Sequence, residues 1–544
     1  MRRSGFAYGC LPSAGCLPSA LAAISLLALA AFAVRAVSLD AQSLWRDEVD
    51  ALRFATAPWA EMLSNFTRPG WNGPLYFLLL RGWIALTGSG EYAMRFFSLA
   101  FGVLCVPLVY VLGRRLFNRQ TGLLAALLTT TSPYLTWYGQ EVKMYTLVPA
   151  LALLAIYSLR RAVERPALSL SKGQGWRWWA VQVVATSLAF YSHILAALLV
   201  PVQVLLYFAW WPQARRRWRG ALISLACLTL PYLPLIAWQA EQVLQERETG
   251  FYPYTLGEMA EILLNGWSLG IIGQSWPWGM VLMGALAVWG LLSPLFLLPL
   301  VGGGAGEVRG RLALLGWLVL PLLSVWLISL RQPLFTDRYF IWAAPAFYLL
   351  IASGLASFWR FRGWGRWPVM LFIGIILTFS STNLWQQATN PMKADFRAAA
   401  ACVAGYRTPD EPTASQVTDR DYPFKCYLPL ALSSHTFDEL IIFQIPYSKY
   451  AFDYYFPEDE YPWAEGLYTN HRDPDGSYLM SEQEVAQLMR EMTAGHDVIW
   501  LVATETAMWD ERGLVQAWLE ANMQMVDEED FAQVDVCRYV KRDE

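Results

Sequence analysis

Two neighbouring carboxylates, Asp47 and Glu48, lie in the stretch SLWRDEVDALRF, directly after the first long apolar run of the chain. A carboxylate in a partly dry pocket, within hydrogen-bond reach of a hydroxyl group, acts as a general base. The same pair in the first turn of a helix is stabilised by the helix macrodipole without any catalytic role. The spacing leaves both interpretations open, and both residues are catalytic candidates.

A further acidic candidate, Glu141, lies in a very short polar turn, WYGQEVKMY, between two apolar runs. Lys143 follows two positions later, and its ammonium group suits the phosphate of a lipid headgroup. An interfacial ion pair, or side chains that snorkel towards water, would explain the same residues equally well. Tyr145, in the same turn, is a candidate for a substrate pocket.

Cationic side chains recur beside later apolar runs. Arg338 and Tyr339, both candidates for binding the donor phosphate, belong to TDRYF, where such a run begins. A guanidinium group at a lipid–water boundary binds phosphate in a bidentate manner, and it is also a common interface anchor. Arg397, in NPMKADFRAAA, is another phosphate-binding candidate, although this segment also resembles a helix start capped by Asp395.

Metal-binding patterns are weak in this sequence. His193, in FYSHILAALL, is the only histidine in the apolar part of the chain, and no HxxxH or CxxC motif occurs. A lone histidine makes a poor metal site, so we treat His193 as a substrate-pocket candidate. The sequence predicts no dedicated metal site and leaves open a single divalent cation held by carboxylates.

The elements that must position these residues are predominantly apolar. The chain has 544 residues, of which 56% are hydrophobic and 16% are charged. Because soluble domains are nearer one-quarter charged, the composition indicates an integral membrane protein. A span needs about 20 apolar residues, and cytoplasmic loops collect Lys and Arg. Basic clusters near residues 113–120, 159–178, 211–220, 306–311 and 359–367 therefore predict roughly eleven spans with a cytoplasmic N-terminus.

The same alternation places the remaining polar segments on the outer side. They include a first outer loop at about residues 37–95, in which Pro74 to Gly88 is expected to form an amphipathic helix at the interface. Residues 1–390 are predicted to form the multi-span domain. Residues 391–544 alternate predicted strands and helices, and this pattern indicates a small soluble α/β domain on the outer face.

Four features in this order resemble one family of membrane enzymes. They are LWRDE after the first span, NGPLYFLLLRGWIALTGSGEYAMRFFS soon after it, GQEVKMYTL after two more spans, and DRYFIWAAPAFYLL late in the chain. The pattern, over about residues 18 to 400, resembles the GT-C glycosyltransferases. Within this superfamily it is most similar to the branch of protein O-mannosyltransferases and aminoarabinose transferases.

The resemblance implies an inverting transferase that takes a sugar from a polyprenyl-phosphate carrier. The acceptor, at the outer face, would be a lipid, a glycan or a protein hydroxyl group. By the same resemblance, Asp47 matches the family's base, Glu141 an acid after the third span, and Arg338 a contact to the carrier phosphate. Relatives often carry His-Pro-Pro or Lys-Pro where this chain has Asn72, Gly73 and Pro74, so Asn72 is only a substrate-pocket candidate.

Two other functions stay open at this stage. A transporter or flippase of lipid-linked sugars would place its charged groups at mid-membrane, often in repeated halves. A non-catalytic cell-envelope assembly protein would use the polar tail as a binding module. We expect a multi-pass protein of the plasma or inner membrane, with membrane lipids and a lipid-linked donor as partners and no nucleic acid.

Overall fold

The structure is a computed structural model of the 544-residue chain. It describes residues 16–66, 73–164, 175–244, 251–272, 277–301, 305–359, 365–407, 438–456, 460–473 and 475–542. The chain forms two compact units. The first comprises Met1–Leu39 and Phe54–Thr389, and the second comprises Asp40–Arg53 and Asn390–Glu544.

The first unit is helical. Its helices are α1 (Cys16–Ala36), α3 (Trp59–Phe66), α4 (Leu75–Thr87), α5 (Glu91–Leu116), α6 (Arg119–Thr131), α7 (Pro133–Gly139), α8 (Leu147–Glu164), α9 (Gly175–Phe190), α10 (Leu199–Ala209), α11 (Trp211–Ala214), α12 (Trp218–Thr229), α13 (Leu233–Leu244), α14 (Leu256–Leu269), α15 (Pro277–Val301), α16 (Ala305–Ser329), α17 (Ala344–Phe358) and α18 (Arg366–Thr389). Short 3₁₀ helices cover Ile194–Leu198, Arg215–Arg217, Leu230–Tyr232 and Asp337–Phe340. Helix α2 (Arg46–Thr56) contains the residues at which the chain passes between the units.

Apolar runs explain most of these helices. Among the described residues, five helical stretches are long and apolar enough to cross a membrane: Glu91–Leu116, Arg215–Trp238, Pro277–Pro294, Gly306–Ser329 and Arg366–Thr389. Four shorter apolar helices accompany them. The predicted interfacial segment forms helix α4, in which Trp83 Nε1 donates to the carbonyl oxygen of Ala93 at 2.7 Å.

Close helix contacts hold this unit together. Glycines allow α5 to approach α6, because a Cβ atom on Gly122 would lie 2.7 Å from the carbonyl oxygen of Tyr110. Arg35, which is fully buried, donates to the carbonyl oxygens of Thr129 at 2.9 Å and Thr130 at 3.2 Å. These carbonyls lie in the last turn of α6, where they have no partner within the helix. Both terminal nitrogens of this guanidinium group thereby donate to backbone carbonyls of apolar helices.

The second unit contains the described strands and the remaining helices. They are β1 (Glu439–Phe443), β2 (Trp463–Glu465), β3 (Val498–Ala503), β4 (Met523–Phe531) and β5 (Val534–Lys541), with α19 (Phe396–Arg407), α20 (Ser448–Asp453), α21 (Glu482–Thr493), α22 (Thr506–Trp509) and α23 (Leu514–Asn522). The strand order is β2-β1-β3-β5-β4. Strand β1 is parallel to β2 and β3, whereas β5 is antiparallel to β3 and β4.

The core of this unit lies between the sheet and two helices. Buried residues of β1, β3 and β5 pack against Val485 and Met489 of α21 and against Val515 and Leu519 of α23. Helix α21 begins with a capping box, in which Ser481 and Glu484 satisfy each other's backbone N–H groups. The predicted strands around residues 438–445, 497–503 and 534–541 are present, and so are the three predicted helices. Strands β2 and β4 were not predicted.

Candidate functional site

Glu48 of the acidic pair forms a buried ion pair. Its Oε2 accepts a hydrogen bond from Lys393 Nζ at 2.8 Å, and the two side chains are 0% and 6% exposed. Both residues belong to the second unit. A buried carboxylate is tolerated when a cation pairs with it, and removal of either partner is strongly destabilising. The contact gives Glu48 a structural role in the second unit.

Asp47 lies in the first turn of α2 and is half-buried. The arginines on both sides of the pair stack on aromatic rings of the second unit. The guanidinium carbon of Arg46 lies 3.6 Å from the ring centre of Tyr447, and that of Arg53 lies 3.4 Å from the ring centre of Tyr450. These contacts anchor the first and last turns of the helix that carries Asp47.

Arg397, the predicted phosphate contact after the last span, also belongs to the second unit. One guanidinium nitrogen donates to the carbonyl oxygen of Asp40 at 3.0 Å, and the group lies over the ring of Tyr455. Asp395 caps α19, since its Oδ1 accepts from the backbone N–H of Ala398 at 3.1 Å. Arg397 therefore contacts its own unit, while Lys143 and Arg338 belong to the first unit.

The first unit brings the other candidates together around the segment Asp337–Phe340. Tyr138 Oη donates to Asp337 Oδ2 at 2.9 Å, and Tyr134 Oη donates to the carbonyl oxygen of Asp337 at 2.8 Å. Both tyrosines come from α7, one helical turn apart. Ser132 begins this helix by accepting from the N–H of Leu135 at 3.1 Å. The short helix α7 thus positions a carboxylate 199 residues away in the chain.

The turn after α7 completes this arrangement. Glu141 is buried, with 1% of its surface exposed, and its charge acts on Tyr138. Tyr145 lies beside Tyr138, with 5.3 Å between ring centres. The guanidinium carbon of Arg338 lies 5.9 Å from the ring centre of Tyr145. On the other side, the rings of His193 and Tyr339 are 4.7 Å apart.

We call these eight residues the loop cluster. They are Tyr134, Tyr138, Glu141, Tyr145, His193, Asp337, Arg338 and Tyr339. Five of them were candidates from the sequence. Sequence reasoning missed Tyr134, Tyr138 and Asp337, although TDRYF places Asp337 directly before Arg338 and YLTWY carries two tyrosines at helical spacing.

Burial controls the protonation of the cluster. The pKa of the Asp337 carboxyl group is raised above its ordinary value by burial, which outweighs the hydrogen bond from Tyr138 and the charge of Arg338. Burial also lowers the pKa of His193 to about 4, and the positive charge of Arg338 acts in the same direction. His193 is therefore neutral at pH 7, and its Nδ1 accepts from the N–H of Leu195 at 3.3 Å.

Lys143 lies next to the cluster in the chain. Its backbone N–H donates to the carbonyl oxygen of Glu141 at 2.8 Å, and its own carbonyl oxygen accepts from Ser98 Oγ at 3.1 Å. Lys143 is half-buried, and its ammonium group makes no hydrogen bond or ion pair with the residues that the structure describes. An ammonium group on a backbone that is fixed in this way is suited to an anionic ligand. Asn72, the remaining candidate, lies outside the described residues.

The described part of the chain contains no group of three His, Cys, Asp or Glu side chains placed to hold a metal ion. The cluster combines two carboxyl groups, one guanidinium group and several phenol hydroxyls instead. Such a set can bind a phosphate through the cation and orient a hydroxyl group through a carboxylate.

A family model and several solved structures match this chain. The model described as dolichyl-phosphate-mannose-protein mannosyltransferase matches residues 68–238. ArnT from Cupriavidus metallidurans in the apo state has a TM-score of 0.53 and 13% identity over 96% of this chain and 98% of its own. The Archaeoglobus fulgidus oligosaccharyltransferase in complex with zinc and sulfate has the same score and identity over 92% of this chain and 71% of its own. Curated proteins gave no match.

This chain has the fold of the GT-C glycosyltransferases. The resemblance based on the four sequence features is thereby confirmed, and so is the general prediction of a helical membrane protein with a C-terminal α/β part. Two further solved structures of this fold contain ligands. One is ArnT from Cupriavidus metallidurans bound to undecaprenyl phosphate, with a TM-score of 0.52 and 13% identity over 95% of this chain and 97% of its own. The other is AglB from Archaeoglobus fulgidus in complex with an inhibitory peptide and a dolichol-phosphate, with a TM-score of 0.52 and 12% identity over 96% of this chain and 74% of its own. The number of spans, the orientation and the domain boundaries stay predictions.

Proposed function

We propose that this protein transfers a sugar from a polyprenyl-phosphate donor to an acceptor hydroxyl group at the outer face of the plasma or inner membrane. The acceptor is a lipid, a glycan or a protein. The observation that carries the proposal is the loop cluster, in which Arg338 lies among buried carboxyl and phenol groups in a chain with the GT-C fold. The ligands of ArnT and AglB support a lipid-linked carrier.

Departure of the carrier phosphate is the first requirement of this reaction. A glycosyl phosphate leaves as an anion, and its charge grows as the bond to the sugar breaks. A fixed cation in a dry site stabilises that developing charge strongly. Arg338 meets this requirement because its guanidinium group is held against Tyr145 and next to Asp337. We assign the second phosphate contact to Lys143.

Activation of the acceptor is the second requirement. In an inverting transfer, a base takes the proton of the acceptor hydroxyl group as its oxygen attacks the anomeric carbon. We assign this role to Asp47, which the sequence resemblance matches to the family's base and which is half-buried in the first turn of α2. Glu141 is then an orienting group. Glu141 is buried at the start of the turn, and this burial fits an orienting role better than the role of a base that exchanges its proton with water.

Purified full-length protein, a panel of radiolabelled polyprenyl-phosphate sugars and candidate acceptor fractions would test the proposal. We expect label to move from one donor to one acceptor fraction. Asp47→Asn should lower the rate about 10²- to 10⁴-fold with donor binding retained, as for loss of a general base. The matched control is Asp50→Asn, which removes a carboxylate from the same helix, where Asp50 Oδ1 lies 3.7 Å from a guanidinium nitrogen of Arg53.

Two outcomes would contradict parts of this assignment. If Asp47→Asn transfers sugar at the rate of Asp50→Asn, a group other than Asp47 is the base. If no donor in the panel yields labelled acceptor although donors bind, the transferase proposal is wrong and a flippase becomes the better explanation. Flippase activity would then be measured as movement of the labelled donor across a proteoliposome membrane.

A further inference from the structure

A separate cavity lies in the first unit, among helices α8, α9, α10 and α12. Its volume is about 290 Å³, and most of its wall is apolar. Helix α12 contributes one face, with Trp218, Ala221, Leu225 and Leu228 at helical spacing. No residue of the loop cluster lines this cavity. The stretch Arg215–Trp238 that contains α12 is apolar and only 11% buried within the protein, so lipid can reach it.

Gln182, Gln203 and Ser224 reach the wall of the cavity, and they bind one another. Gln182 Nε2 donates to Gln203 Oε1, and Ser224 Oγ donates to Gln182 Oε1. Gln203 Nε2 donates to Thr186 Oγ1 at 2.8 Å. The network ties α9, α10 and α12 together, as polar side chains do between helices in membranes. It leaves few groups for a ligand, and the cavity is therefore shaped for an apolar occupant.

Water is a poor occupant of this space. A cavity of this volume would hold several waters, each of which needs two to four polar partners. The mutual hydrogen bonds of Gln182, Gln203 and Ser224 do not offer that number. A hydrocarbon chain requires no hydrogen bonds and would contact the apolar wall throughout.

Two tryptophans of the cavity wall flank or adjoin a basic stretch of the chain. Trp211 and Trp218 line it and are 45% and 53% exposed. Between them in the chain come Arg215 and Arg216, both exposed. The guanidinium carbon of Arg219 lies 5.6 Å from the ring centre of Trp218. Tryptophan and arginine are typical of the membrane interface, and basic pockets between membrane helices bind anionic headgroups.

We propose that this cavity binds one acyl chain of an anionic glycerophospholipid, whose phosphate contacts Arg215, Arg216 and Arg219. The cavity supplies the apolar contact and the three guanidinium groups supply the charge complementarity. The site is independent of the proposed sugar transfer. It would hold a lipid of the surrounding membrane on the side that the charge pattern predicts to be cytoplasmic.

Lipid retention by the purified full-length protein tests this site. The protein in neutral detergent is titrated with phosphatidylglycerol or with phosphatidylcholine of the same acyl chains, and bound lipid is counted by native mass spectrometry. We expect tighter binding of phosphatidylglycerol. Replacing Arg215, Arg216 and Arg219 together by Gln should weaken it on the order of a hundredfold, since each cation near the headgroups contributes roughly fivefold. Ala221→Phe should abolish binding by filling the cavity.

Matched variants distinguish lipid binding at this site from the general effects of removing charge or adding a surface ring. Arg309→Gln with Arg366→Gln removes exposed cations from two other basic segments, and Val184→Phe adds a ring to an exposed position of α9. Both should bind phosphatidylglycerol like the unchanged protein, and thermal unfolding should show all variants folded. Equal retention of the two lipids would overturn the proposal. So would unchanged binding by folded Ala221→Phe, or equal losses in the two arginine variants.

Discussion

The two units use their carboxylates in opposite ways. In the second unit, Asp47 and Glu48 are neighbours in the chain, yet Glu48 is buried against Lys393 and Asp47 is half-buried at a helix start. In the first unit, Glu141 and Asp337 are far apart in the chain, yet both contact or influence Tyr138. The two acids that are adjacent in the sequence therefore have different environments, whereas the two that are distant in the sequence share one. The fold, rather than spacing, determines which acids act together.

The largest expected effect is a loss of stability when the buried ion pair between Glu48 and Lys393 is broken. Lys393→Met leaves the buried Glu48 without its lysine, and we expect the second unit to lose about 3–5 kcal/mol of stability. Hydrogen exchange of the β3 amides measures this loss. The control is Lys449→Met, which removes a partly exposed pair with Asp453 and should cost less than about 1 kcal/mol. Equal losses in the two variants would contradict a structural role for Glu48.

The next effect concerns catalysis by the loop cluster. Under the proposed function, Arg338→Ala should lower the rate of sugar transfer about 10²- to 10³-fold, because a preorganised cation is lost from the leaving phosphate. Arg338→Lys should recover part of the rate, since it restores the charge without the bidentate geometry. Arg331→Ala, which removes an exposed arginine from the same connection, is the control. A transfer rate that Arg338→Ala leaves unchanged would remove the cluster from the proposed mechanism.

A smaller effect tests how Tyr138 and Asp337 are coupled. The folded pKa of Asp337 is raised, so the folded protein holds this proton more firmly than the unfolded chain does. The contribution of Asp337 to the free energy of unfolding therefore falls as the pH rises from the ordinary pKa of a carboxyl group to the raised pKa of Asp337. Tyr138→Phe removes a hydrogen bond that stabilises the carboxylate by about 1.5–3 kcal/mol. Without this hydrogen bond the pKa of Asp337 should rise further, so the loss of stability with rising pH should become larger and extend to higher pH.

Thermal unfolding between about pH 4 and pH 8 measures this dependence. Asp337→Asn should flatten this part of the profile, and Tyr157→Phe, on α8 against Trp178, is a tyrosine control. If Tyr138→Phe and Tyr157→Phe give the same profile, the hydrogen bond does not control the protonation of Asp337.

The smallest effect is a shift in the titration of His193. The chain has four histidines, so a histidine-labelled sample gives an NMR spectrum that can be assigned by single substitutions. The His193 signal should titrate near a pKa of about 4. Arg338→Gln should raise that pKa slightly, because the arginine charge is the lesser of its two causes, and Arg331→Gln should not. Titration near 6.5 would show that the ring is accessible to water.

Local patterns predicted much of the second unit. Strand β3 is entirely buried and reads as an apolar run, and β5 carries alternating apolar residues. Strand β4 was missed because MQMVDEEDF is rich in acidic residues. It exists through antiparallel pairing with β5 at the edge of the sheet, where charged residues are common. Pairing with a distant partner is not visible in a local pattern.

The candidate site shows the same limit. Individual polar residues at the ends of apolar runs were recognisable, which is how Glu141 and Arg338 were found. Their partners were not, because Tyr138 and Asp337 are 199 residues apart and Glu48 and Lys393 are 345 residues apart. Packing of the helices, which depends on small residues and buried polar contacts, decides which of these ends meet.

The separation of Glu48 from Lys393 has a consequence for biosynthesis. The ribosome completes the acid-bearing helix long before it reaches the lysine, 345 residues later. Throughout that interval the nascent segment Asp40–Arg53 cannot bury Glu48 against its lysine. Maturation of the second unit must therefore await the later part of translation, and a stalled product that stops short of residue 393 would present an unfinished surface to quality-control proteases.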